Sequence, residues 1–140
     1  MTQDFSRRLA IVVRRDIESW QTTNTIAHIA GRLGHDIQEY LTGSNFQTKD
    51  GVIVPRNSQY PIIVFQTEGV DKLRALLAEV RSAQLPHLAY IREMIDFTDD
   101  DELQAALGRK NEAEVEYLGV GIFGDNEALK RLTKKFSLWK

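Results

Sequence analysis

Residues 9–16 read Leu9-Ala10-Ile11-Val12-Val13-Arg14-Arg15-Asp16, and they decide the class of fold. Five consecutive aliphatic residues show none of the alternation of a half-exposed strand, so the segment reads as a β-strand buried on both faces. The charges at 14–16 end it. A strand covered on both faces calls for helices on either side of its sheet.

Outward from that strand the pattern supplies those helices. From Thr23 onward, Ile26, Ile29, Ala30, Leu33, Ile37, Tyr40 and Leu41 recur at helical spacing, with Gly34 a point where the helix ends or loosens. Residues 42–60, rich in Gly, Ser, Asn and Gln, read as a long loop. Asp50-Gly51 is a turn signal within it, and Val52 to Val54 is one arm of a short hairpin. Pro61 opens a second strand, Ile62 to Gln66. In the helix after it, Val70, Leu73, Leu76, Leu77 and Val80 form an apolar stripe against Asp71, Lys72, Arg74, Glu79 and Arg81. Leu88 to Ile95 reads as a third strand, and Thr98 with Asp101 has the form of a capping box for a short helix through Leu107. Val115 to Phe123 is the fourth strand. Asp125 or Asn126 then caps a last helix with Leu129 and Leu132 facing inward, and Phe136 to Trp139 adds an edge strand. Single helices between strands imply crossovers. The expectation is one domain over residues 1–140, a three-layer α/β/α sandwich whose central sheet is mixed, mostly parallel, and of about four strands.

Composition narrows the function classes. The chain of 140 residues has no cysteine, which excludes disulfides and thiolate metal sites and suits a reducing cytoplasm. The apolar run at Leu9 to Val13 is too short for a signal sequence or a membrane span. A formal net charge of −2 and a pI near 5.9 give no global positive field for nucleic acid. Charge is segregated, however, with Lys130, Arg131, Lys134, Lys135 and Lys140 near the end and an acidic run at 99–102.

Ligands of open α/β sheets sit beyond the carboxyl ends of the strands. There the first strand places Arg14 and Asp16, and the helix after it brings Thr23, Asn24 and His28, the last two four apart on one face. Arg14 and the free N–H groups of a helix start suit an anion. The same residues also have a purely structural reading: Thr22, Thr23 or Asn24 as an N-cap, Arg14 with Asp16 as a surface ion pair, and His28 as a packing residue.

The run Trp20-Gln21-Thr22-Thr23-Asn24-Thr25-Ile26-Ala27-His28, with Leu132-Thr133-Lys134 and Ser137-Leu138, resembles a bacterial family of unknown function grouped with the type 2 peptidyl-tRNA hydrolases. Arg14-Arg15-Asp16-Ile17 is similar to the Arg-x-Asp-Leu of those enzymes, and Leu118-Gly119-Val120-Gly121 to the glycine-containing strand before their last helix. The resemblance implies their fold and a relation to peptidyl-tRNA hydrolysis. It departs from them at the chemistry. Thr23-Asn24 stands where they carry Gly-Lys, His28 stands for their glutamine, and Asp96 and Thr98 lack the spacing of Asp-Ala-Gly-x-Thr. Asn24 donates and accepts hydrogen bonds but supplies no charge to a phosphate or an oxyanion.

The expected function is therefore binding of a small or nucleotide-like ligand at Arg14, Asp16, Thr23, Asn24 and His28 without the parent reaction. The alternative is an active ester or amide hydrolase, with His28 as acid or base and Asn24 at the oxyanion. A self-associating interaction module is a third reading, and tRNA contact through the basic last helix a minor one. No cofactor or metal is expected: the three histidines carry no H-E-x-x-H pattern. Gly119-Val120-Gly121-Ile122-Phe123-Gly124 matches G-x-G-x-x-G, but too few residues follow Gly124 to complete a dinucleotide-binding unit. Its glycines are expected to let another backbone or a ligand come close, and the acidic run to be a solvated helix start.

Overall fold

The structure is a computed structural model that describes residues 3–40 and 43–140. Leu41 of the expected helical stripe and Thr42 of the expected loop lie outside the described residues. The elements run β1 (Arg7–Arg14), α1 (Ser19–Asp36), β2 (Phe46–Gln47), β3 (Ile53–Val54), β4 (Ile62–Thr67) and α2 (Asp71–Ser82). There follow β5 (His87–Ile91), α3 (Arg92–Asp96), α4 (Asp100–Leu107), β6 (Tyr117–Asp125), α5 (Asn126–Thr133) and β7 (Ser137–Leu138), with 3-10 turns at Gln38–Tyr40 and Glu112–Glu114.

β1 lies mid-sheet, and Leu9 through Val13 are fully buried. Its residues divide between two cores. Leu9 and Ile11 pack with Ile29 and Leu33 of α1, while Ala10 and Val12 pack with Leu73, Leu76, Leu77 and Val80 of α2 and Leu129 of α5. Helices thus cover both faces, as the unbroken aliphatic run requires.

The sheet has five strands in the order β5-β6-β1-β4-β7, and it is mixed rather than mostly parallel. Among the described residues only β1 and β4 pair in parallel; β6 pairs antiparallel with both β1 and β5, and β7 antiparallel with β4. Helical crossovers do give β1, β4 and β5 one direction. The expectation fails on adjacency, because β6 enters between β1 and β5 and separates strands that would otherwise pair in parallel.

α1 packs on β6 where that strand has no side chains. A Cβ at Gly121 would stand 2.1 Å from Ile29 Cγ2 and 2.9 Å from Leu33 Cδ1, and one at Gly119 would stand 2.8 Å from Thr25 Cγ2. The glycines do admit a close approach, by helix side chains rather than by a ligand. The hairpin β2–β3 forms a separate small sheet whose turn uses Gly51 at φ +94°, and Phe46, Val52, Ile53 and Val54 are exposed on it. Among the described residues no helix is long and apolar enough to cross a membrane.

Several boundaries move. α1 starts at Ser19, four residues before Thr23, because Glu18 and Gln21 form its cap: the Glu18 N–H donates to Gln21 Oε1 at 3.3 Å. Gly34 does not break the helix; the Tyr40 ring packs over it, 3.2 Å from where a Cβ would sit. β5 ends at Ile91 and the chain turns into α3, so Glu93 to Ile95 are helical. Asp99, not Thr98, caps α4, its carboxylate accepting from the N–H groups of Asp101 at 2.9 Å and Glu102 at 3.1 Å. β6 begins at Tyr117 rather than Val115. Asp125 caps α5 as expected, accepting from the Ala128 N–H at 3.0 Å.

Candidate functional site

The carboxyl end of β1 delivers Arg14 to a balanced charge cluster. Its Nε and Nη2 donate to the two oxygens of Asp16, each at 3.0 Å, and its Nη1 lies 3.6 Å from Glu116 Oε2. Arg92 donates to the same Glu116 oxygen at 2.6 Å. Asp16 Oδ2 also accepts from the Gly69 N–H at 3.0 Å, across to the turn between β4 and α2, where Gly69 has φ +69°. The Arg14 bond, helped by Gly69, holds the Asp16 carboxyl below its ordinary range, and the bond to Asp16 raises Arg14 in turn. Two cations and two carboxylates cancel, so the cluster ties β1, β6 and the β4–α2 turn together.

The N-terminus of α1 carries its own anion, the Glu18 carboxylate, which accepts from Trp20 Nε1 at 2.6 Å. Thr22 is buried and donates to the Arg14 carbonyl at 2.9 Å, fastening helix to strand. Thr23 points outward and donates to the Ser19 carbonyl at 3.1 Å, away from the other candidates.

Asn24 and His28 do meet, through Tyr90 of β5. The Tyr90 hydroxyl donates to Asn24 Oδ1 at 3.0 Å, and the His28 ring stacks on the Tyr90 ring with centroids 5.1 Å apart at 19°. Tyr90 is buried to 4% exposure, which pushes its hydroxyl pKa up, whereas His28 is exposed. His28 has no hydrogen-bond partner among the described residues, so nothing there orients its ring nitrogens for proton transfer. The geometry offers a π-face and a side-chain amide beside it. No hydrogen bond or ion pair joins this trio to the Arg14 cluster among the described residues.

A second buried charge lies next along the chain. Glu93 of α3 has a side chain only 4% exposed and pairs with Lys110, while its Oε2 finds no hydrogen-bond partner among the described residues. Burial alone would raise its pKa, but the Lys110 bond and a backbone N–H outweigh burial and hold it below the ordinary value. Among the described residues no three His, Cys, Asp or Glu side chains gather to hold a metal. His35 lies beside Asp36 and His87 bonds the Leu85 carbonyl, so the histidines are dispersed.

Sequence reading had no means of finding Tyr90, Arg92, Glu116 or the Glu93–Lys110 pair as partners. Tyr90 did carry one signal, its place near the carboxyl end of a strand. Its partner Asn24 is 66 residues away, and only the β5–β6–β1 order brings α1 over it.

Comparison with known proteins agrees with this fold and gives no activity. The chain is similar to the structure of a protein of unknown function from Agrobacterium tumefaciens str. C58, with a TM-score of 0.84 over 98% of this chain and 100% of that one, at 20% identity. No curated protein matches it. A family model described as "Protein of unknown function (DUF2000)" matches residues 7–140. With nearly its whole length inside that match, the chain belongs to the DUF2000 family.

Proposed function

We propose that the chain binds a small, planar, nucleotide-like ligand on the Asn24–His28–Tyr90 surface and does not hydrolyse it. The observation that carries this reading is the exposed His28 ring, stacked on a buried tyrosine and lacking a group to orient it. Stacking a base on an aromatic ring contributes roughly 1–3 kcal/mol and needs no catalytic group. Asn24 Nδ2 is left to donate, because its Oδ1 already accepts from Tyr90. The likeness of residues 14–17 and 118–121 to type 2 peptidyl-tRNA hydrolases supports a nucleotide-like ligand, and Asn24 in place of their lysine supports loss of the reaction.

Peptidyl release from N-blocked aminoacyl-tRNA tests the reading, run beside a titration with adenosine followed by amide shifts. No turnover above background is expected, with shifts at Tyr90 that vanish in His28→Ala. Turnover abolished in both Asn24→Ala and His28→Ala would establish the hydrolase instead. Self-association is a separate reading, favoured by the apolar side chains exposed on the β2–β3 hairpin. A strictly monomeric mass at sedimentation equilibrium would remove it.

A further inference from the structure

A cavity of about 250 Å³ opens at the carboxyl end of β4, lined by Arg15, Thr67, Glu68, Lys72, Lys135 and Ser137 among others. None of Arg14, Asp16, Asn24 and His28 lines it. Its wall sets three cations against one carboxylate. That carboxylate is poorly placed to neutralise them, since Glu68 Oε1 is 3.8 Å from Arg15 Nε with both side chains more than half exposed. Lys135 lies 3.9 Å from Glu79, and Lys72 has no ion-pair partner among the described residues.

Thr67 makes the cavity more than a basic patch. It is 6% exposed and lines the cavity, and its hydroxyl has no hydrogen-bond partner among the described residues. The residue is largely buried but its hydroxyl keeps contact with solvent, so it is free to donate to a guest in place of water. Nearby, α2 starts at Asp71 without a side-chain cap from Val70, so its first N–H groups are open to an acceptor. The position, beyond the carboxyl ends of the parallel pair β1 and β4, is where open α/β sheets bind ligands.

Charge and size select the guest. A cationic wall with a hydroxyl donor suits a compact dianion with several acceptor oxygens better than a monocarboxylate. The volume equals roughly eight waters at about 30 Å³ each, below the range of drug-sized pockets. We propose that this cavity binds a phosphate dianion, either free or carried by a small molecule. The proposal goes beyond the ligand reading at α1 and uses different residues, so either can fail without the other.

The test is a titration of the full chain at constant ionic strength, following backbone amide shifts, with inorganic phosphate in one arm and glycerol 3-phosphate in the other. Saturable shifts are expected at Thr67, Glu68 and residues 69–72. Lys72→Ala should weaken binding about tenfold and Thr67→Val about fivefold. Thr67→Ser, which keeps the hydroxyl, should retain affinity and guards against a folding defect. Tighter binding of the ester assigns the site to a phosphorylated molecule, and tighter binding of inorganic phosphate to the free anion. The proposal is overturned by shifts that never saturate in either arm. It is equally overturned if Thr67→Val binds like the wild type while Lys130→Ala, outside the cavity, weakens binding as much as Lys72→Ala.

Discussion

Replacing Gly121 with alanine would put one methyl group into the closest contact between α1 and the sheet. The new Cβ would lie 2.1 Å from Ile29 Cγ2 and 2.9 Å from Leu33 Cδ1, far inside contact distance, and Ile29 is fully buried with no room to swing away. Overpacking of a tight core costs about 1–3 kcal/mol, and here two neighbours must move, so about 3 kcal/mol is expected. Ile29→Ala alone should cost about 2–5 kcal/mol through the space it leaves. In that background the methyl of Gly121→Ala meets mainly the flexible end of Leu33, and its cost should fall below about 1 kcal/mol, a coupling of about 2 kcal/mol. Urea unfolding of the four proteins of the cycle measures both numbers. A cost under about 0.5 kcal/mol for Gly121→Ala, or additivity within that margin, would refute the claim that the β6 glycines exist to seat α1. Seating bears on the proposed ligand surface, because it sets the height of Asn24 and His28 over Tyr90.

Two further outcomes are expected on the same assay. Tyr90→Phe removes the bond to Asn24 and keeps the stacked ring, so it should cost about 1 kcal/mol while the His28 ring resonances stay shifted by the aromatic neighbour; unchanged stability would dismiss the bond. Glu93 has a depressed pKa in the folded state, so its contribution is present above the unfolded value, about 4.3, and is lost as pH falls through the lower folded value. Glu93→Gln should therefore lower the urea midpoint at neutral pH and flatten its decline on acidification, and parallel pH profiles for the two proteins would count against the Lys110 pairing.

Some of this protein could be read residue by residue. The five aliphatic residues of β1 announce burial on both faces, and the stripe of Leu73, Leu76, Leu77 and Val80 announces α2, because each records the periodicity with which one element meets a core. Asp125 was legible as a cap because its carboxylate acts within three residues of itself. The start of α1 was misplaced because its cap uses a glutamate, outside the usual cap residues, with a reciprocal glutamine.

The site divides along the same line. Arg14 and Asp16 are two residues apart, and their pairing was already one of the two readings of the sequence. The neighbours that give the other residues meaning are far away in the chain: Tyr90 for Asn24 and His28, Glu116 for Arg14, Lys110 for Glu93. Tyr90 and Glu116 reach their partners because β6 runs antiparallel between β1 and β5, a choice made by packing across the whole sheet, and Lys110 reaches Glu93 through the fold of α3 and α4 on one another. By itself the sequence determined the long strands and helices and which faces they bury, since those follow from local period and side-chain polarity, but not the short α3, most of which lay inside an expected strand. Only the tertiary structure decided which strands are neighbours, and hence which side chains share a site, since pairing depends on contacts between residues that no local pattern links.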